Sequence, residues 1–180
     1  MIGIQFDNYL PPSWDEWFMR LVYLTATKSK DPKTKIGSIL VKDKRIISTG
    51  YNGIPIGVDD TIDDRVERPN KYLWLEHAER NSIYSASKYG ISTGGTTMYT
   101  NAVPCADCTR AIIQSGIVKV VIHKVYEDLF TQIQDEVSRP KWIGHNKISR
   151  TMLAEAGVDV EIFDGFVEST AYFDGFKYLV

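Results

Sequence analysis

The chain has 180 residues, 43% hydrophobic and 24% charged, with 21 basic residues against 23 acidic ones and a formal net charge of −2. This is the composition of a globular protein large enough to bury a full core without disulfides or a structural metal. One domain over 1–180 is therefore expected, and any metal should serve chemistry. The charge balance excludes the basic excess that tracks a nucleic-acid backbone, and no segment approaches the eighteen or so apolar residues that span a bilayer.

Met1 to Asp7 lacks the basic and apolar regions of a signal peptide, so a cytoplasmic location is expected. An arm over about 1–12 ends at Pro11-Pro12. Ser13-Trp14-Asp15-Glu16 reads as a capping box that opens an amphipathic helix to about Lys28, stopped by Ser29-Lys30-Asp31-Pro32. Ile36–Val41 and Arg45–Gly50 read as β-branched strands joined at Lys42-Asp43-Lys44, a hairpin. Tyr51 to Gly57 is a loop by its glycines, proline and asparagine. Val58 to Tyr72 is polar, irregular and too long for a simple connection.

A helix follows over Ala78–Lys88, a strand over Thr96–Thr100, a helix over Cys105–Ser115 and a strand over Val118–Ile122. After a less regular stretch come a helix near Asn146–Ala156 and a strand over Val158–Phe163. This order predicts an α/β fold, a three-layer α/β/α sandwich around a mixed five-stranded sheet. The last residues, about 164–180, carry Phe166, Tyr172, Phe173, Phe176 and Tyr178 with little periodicity. They read as a tail packed on the domain or on a neighbouring subunit.

The chemistry is concentrated in His77-Ala78-Glu79 and Pro104-Cys105-Ala106-Asp107-Cys108, each at the start of a predicted helix. In a cytoplasmic chain, two cysteines at Cys-x-x-Cys spacing indicate metal or redox chemistry rather than a structural disulfide. At a helix N-terminus the free N–H groups favour the thiolate. Adding His77 gives three ligands of a softness suited to Zn2+, and three ligands with an open position define a catalytic rather than a structural site. If both residues lie on one helix, the two-residue spacing turns Glu79 away from His77. That makes it a poor ligand but a plausible proton carrier. A thioredoxin-like pair or half of a structural zinc site is the competing reading, opposed by the preceding proline, the single Cys-x-x-Cys and the upstream His-x-Glu. His123 and His145 lack partners at ligand spacing and read as a strand-end residue and a solvated loop residue.

These motifs resemble the cytidine deaminase superfamily, and more specifically its deoxycytidylate (dCMP) deaminases. The resemblance runs from about Trp17 to Asp159. It rests on Thr27 to Pro32 with Ile36-Gly37, on Gly50 to Gly57, on His77 to Asn81, and on Pro104 through Ile117. The resemblance implies zinc-dependent hydrolysis of dCMP to dUMP and ammonia in a homo-hexamer, activated by dCTP with a divalent cation such as Mg2+ and inhibited by dTTP. It implies substrate contacts at Asn52, Ala78, Pro104 and Tyr126, and a regulatory nucleotide site at Ser29, Lys30, Asp31, Asn52 and Gly53. Glu127 departs from relatives that carry a basic residue after the aromatic one, so no cation is assigned to the substrate phosphate. The rivals are a nucleoside or tRNA deaminase of the same superfamily, and an inactive nucleotide-binding scaffold that an intact Glu79 argues against. No nucleic-acid or membrane partner is expected.

Overall fold

The structure, a computed structural model, describes residues 10–131 and 138–180. Most of the expected N-terminal arm, residues 1–9, lies outside the described residues. Helix α1 (Trp14–Ala26) opens on Ser13, whose hydroxyl accepts the Glu16 N–H at 3.2 Å. The reciprocal half of the capping box is not formed, because the Glu16 carboxylate pairs with Arg20 at 2.6 Å one turn on. Phe18, Met19, Val22, Tyr23 and Ala26 make one buried face, the spacing of an amphipathic helix. The helix ends at Ala26, two residues short of expectation, with Thr27 as its cap.

That face lies on β1 (Gly37–Lys42). A β-carbon at Gly37 would meet the Val22 carbonyl oxygen at 2.1 Å, so glycine is what lets helix and strand approach. Strand β1 pairs antiparallel with β2 (Arg45–Tyr51) on one side and with β3 (Thr97–Thr100) on the other. Strands β4 (Lys119–His123) and β5 (Asp159–Phe163) continue the sheet in parallel, giving the order β2-β1-β3-β4-β5. The period-two alternation of side chains divides the core. Ile39, Val41, Tyr99 and Val121 cluster with α1. Leu40, Met98, Val120 and Ile122 cluster on the other face with Ala86, Ile112 and Leu153. Those three belong to α3 (Ala78–Lys88), α4 (Ala106–Gln114) and α6 (Ser138–Glu155). The expected mixed five-stranded sheet between helical layers is what forms.

Three parts differ from expectation. The polar segment 58–72 contains a single 3-10 turn (Asp63–Arg65) and leads into a short helix, α2 (Lys71–Trp74). Helix α5 (Lys124–Thr131) follows β4 directly, and α6 begins at Ser138 rather than near Asn146. The C-terminal residues form a hairpin of β6 (Thr170–Phe173) and β7 (Phe176–Leu179), turned at Asp174-Gly175 with φ of 49° and 88°. Its strands are four residues long, too short to show a period, but Asp-Gly is itself a hairpin signal. The hairpin docks on the domain: the Lys35 N–H donates to Tyr172 O at 3.0 Å and the Gly175 N–H to Lys33 O at 2.8 Å. Ala171, Phe173 and Val180 join the α1-side core.

Candidate active site

His77 and Cys105 are not helical residues but the N-caps of α3 and α4, each in extended backbone. Helix α3 begins at Ala78, as expected, so the condition that His77 and Glu79 lie on one helix is not met. An extended cap breaks the helical rotation between them, and His77, Glu79 and Cys105 line one cavity. The His77 Nδ1 lies 3.5 Å from Cys105 Sγ and 3.4 Å from Cys108 Sγ. All three ligand atoms fall within 4.8 Å of one another. Ordinary Zn–S and Zn–N bonds at a tetrahedral angle give an N···S separation of about 3.6 Å. The donor set therefore fits zinc in both chemistry and spacing, with His77 offering Nδ1.

The electrostatics agree with that use. The Cys105 thiol is pulled down to about 3, first by the hydrogen bond from the Cys108 thiol and then by His77, against the opposing effect of burial. The Cys108 N–H also donates to Cys105 Sγ, the N-cap contact of α4. Cys108, as donor of the thiol pair and by burial, is pushed well up. Burial works against a charged His77, yet the bond with Cys105 and the charge of Glu79 leave it above its ordinary value. Glu79, 3% exposed, is raised above the usual carboxylate range, chiefly by burial. A carboxyl poised in this way suits proton transfer.

Neighbouring residues hold this geometry. A β-carbon on Gly50 would lie 2.3 Å from both Ala78 O and Ser82 N, so β2 passes directly beneath the first turns of α3. The Glu76 carboxylate accepts the His77 N–H at 2.8 Å and the Arg80 Nε–H at 2.6 Å. Arg80 in turn reaches Asp107 of α4 at 3.9 Å, tying together the helices that carry the ligands. Only the charge of Glu76 beside a ligand histidine hinted at this in the sequence.

Asn52 lines the cavity, but its side chain is largely committed to shaping the loop. Its Oδ1 accepts the Ile36 N–H at 2.8 Å, while Nδ2 donates to Thr34 O at 2.9 Å and faces Asp31 at 3.4 Å. Asp31, 1% exposed, lines the same cavity and bonds Lys71 at 2.6 Å. It also accepts the Lys33 and Thr34 N–H groups. Ser29 is buried and accepts the Asp31 N–H; Lys30 is exposed and pairs with Asp60 at 2.8 Å. Gly53 exchanges backbone hydrogen bonds with Glu76. The residues expected as a regulatory set are thus divided, with Asp31 and Asn52 on the cavity wall and Lys30 outside it.

Ala78 and Pro104 are buried beside the ligands and are not among the lining residues. Tyr126 also differs from expectation. It is a fully buried core residue, its ring against Phe173 and its hydroxyl 2.9 Å from both Lys35 O and Tyr172 O. His145 lies on α6 rather than in a loop, where its Nδ1 accepts the Ala106 N–H at 3.4 Å and so caps α4. His123 ends β4, as expected. Among the cavity residues that the sequence did not single out are Thr34, Arg68, Lys71, Trp142 and Asp174. They come from segments far apart in the chain and meet only in the fold.

A mixed sheet between helical layers, with a His/Cys/Cys cluster at two helix N-termini, defines the zinc-binding deaminase class. The chain belongs to the family described as the cytidine and deoxycytidylate deaminase zinc-binding region, matched over residues 12–124. It is 35% identical over 147 residues to a protein of Aliivibrio fischeri named as an uncharacterised deaminase in the luxG 3′ region, covering 82% of this chain and 91% of that one. It is 37% identical over 121 residues to human deoxycytidylate deaminase, covering 64% of this chain and 66% of the human protein. In fold it is similar to the dCMP deaminase of cyanophage S-TIM5, solved with dCMP and dUMP, with a TM-score of 0.61 and 24% identity. That match covers 86% of this chain and 100% of the other.

Proposed function

We propose that the chain hydrolyses dCMP to dUMP and ammonia, with zinc held by His77, Cys105 and Cys108 and with Glu79 as the proton carrier. The observation that carries this reading is a donor set at tetrahedral spacing opening on a cavity that also holds a buried carboxyl of raised pKa. The choice of dCMP rests on relatives named deoxycytidylate deaminase and on the dCMP complex of the phage enzyme. Zinc bound there would supply Lewis acidity and would lower the pKa of a water at the site to about 7. Glu79 takes the proton of the attacking water and delivers it to the ring nitrogen N3. It then carries the second proton to the amino group as ammonia leaves. Burial of Glu79 raises its pKa and so keeps its carboxyl protonatable.

Activation by dCTP with Mg2+, inhibition by dTTP and a hexameric assembly belong to the same proposal, supported by the resemblance of the Ser29–Pro32 turn. Ammonia release from dCMP, CMP, dCTP, deoxycytidine and a tRNA hairpin, with and without dCTP and Mg2+, tests it. The expected result is highest kcat/KM on dCMP, sigmoidal in dCMP without dCTP and hyperbolic with it. Faster release from deoxycytidine or tRNA overturns the substrate. Hyperbolic kinetics indifferent to dCTP and dTTP overturn the regulation.

A further inference from the structure

The cavity wall away from the metal-type cluster is a chain of charged and polar groups drawn from three separate segments. Asp31, held by backbone N–H groups and by Asn52, bonds Lys71. Thr34 Oγ1 accepts the Asp174 N–H at 3.1 Å, and Asp174 pairs with Arg68 at 3.0 Å. Asp31, Thr34, Arg68, Lys71 and Asp174 all line the cavity. Lys71 is 6% exposed, and among the described residues its ammonium, with three donors, has Asp31 as its one hydrogen-bond partner. A buried ammonium with donors to spare on a cavity wall is an anion-binding group.

The charges are balanced, with two cations and two carboxylates, but the carboxylates are not alike. Asp31 is buried and divides its charge among four donors. Asp174 sits at the turn of the C-terminal hairpin, 26% exposed in its side chain, and pairs with an equally exposed Arg68.

We propose, on the reading that the substrate is a cytosine nucleotide, that Arg68 and Lys71 seat a nucleoside monophosphate and that Asp174 of the hairpin limits the phosphate chain to one unit. One phosphate takes the place of the Asp174 carboxylate against the Arg68 guanidinium. A second or third phosphate is driven against the Asp174 carboxylate. The C-terminal hairpin is thereby a specificity element of the site as well as part of the core.

The test uses the zinc-loaded protein and the variants Arg68→Gln and Asp174→Asn. It reads kcat/KM for dCMP, dCDP and deoxycytidine, and calorimetric binding of dUMP against deoxyuridine, which needs no turnover. The parent should bind dUMP more tightly than deoxyuridine. Arg68→Gln should cut the preference for dCMP over deoxycytidine, and for dUMP over deoxyuridine, about ten- to hundredfold. Asp174→Asn should keep the dCMP preference and raise dCDP relative to dCMP severalfold. Equal binding of dUMP and deoxyuridine by the parent overturns the seat. So does an Arg68→Gln variant that loses nucleotide and nucleoside alike, the mark of a purely structural role. An unchanged ratio of dCDP to dCMP in Asp174→Asn overturns the limiting role. A parent that prefers dUMP yet releases no ammonia from dCMP contradicts the proposed reaction and leaves the seat supported.

Discussion

Glu79 and His123 are both buried, and the contrast between their surroundings separates a chemical role from a structural one. Glu79 opens on the cavity beside His77 and Cys105. Glu79→Gln should retain zinc and fold while lowering turnover by about 10²–10⁴-fold or more, since one group serves several proton transfers. Metal analysis beside ammonia release checks it, and a variant within tenfold of the parent removes Glu79 from the mechanism. His123 has both nitrogens engaged away from the cavity. Gly165 O can only accept, so Nε2 carries the proton at 2.8 Å, and Nδ1 accepts the Tyr23 hydroxyl at 2.6 Å. Burial lowers its pKa below the ordinary histidine value. The unfolded chain then binds the proton more readily than the folded one, so stability falls as pH drops below about 6.5. Thermal midpoints from pH 7.5 to 5 should show this limb in the parent and a flatter one in His123→Gln; identical limbs would assign the loss to other groups.

At the scale of elements, the site depends on where α3 begins, and that is set by a glycine in a different element. Gly50 of β2 lies under the Ala78 carbonyl and the Ser82 N–H. Gly50→Ala forces backbone apart from backbone and should cost about 1–3 kcal/mol, the usual effect of overpacking. Because α3 also carries His77 as its cap, zinc affinity should fall with stability. Chemical denaturation together with zinc titration checks the pair, and a destabilised variant of unchanged zinc affinity would show that α3 does not move as a unit. The sequence marked Gly50 as the end of a strand and the start of the Gly50 to Gly57 motif, not as a packing contact. Nothing local in a β-branched run reveals which helix will lie across it.

For the whole molecule, the two cores on either face of the sheet are built from α1, the hairpin and the central strands, and from α3, α4 and α6, without the cluster at the cavity. Zinc removed by a chelator should therefore abolish ammonia release while the far-ultraviolet circular dichroism persists. The melting temperature should drop by about 5–10 °C, because a ligand that binds only the folded state contributes stability through its affinity. Global unfolding on chelation would make the metal structural. Among the described residues no helix is long and apolar enough to cross a membrane.

The elements legible in the sequence are those whose physics is local. The Ser13 cap, the buried face of α1, the β-branched runs of the β1–β2 hairpin and the Cys-x-x-Cys at a helix start each follow from a few neighbouring residues, which fix local conformation and donor chemistry. The sequence by itself therefore determined the sheet between helical layers, and it singled out His77, Cys105 and Cys108, which the fold brings into one cluster, and Glu79, which lines the cavity beside them. Only the tertiary structure decided that His77 caps its helix, that Asp31 and Asn52 face the same cavity as Glu79, and that Tyr126 belongs to the core. It alone brought Arg68, Lys71 and Asp174 to that cavity, from an irregular loop, a four-residue helix and a hairpin turn. Such charges carry no periodic signal, because their positions are set by contacts across the chain, Arg68 and Asp174 being 106 residues apart, rather than by the neighbours beside them.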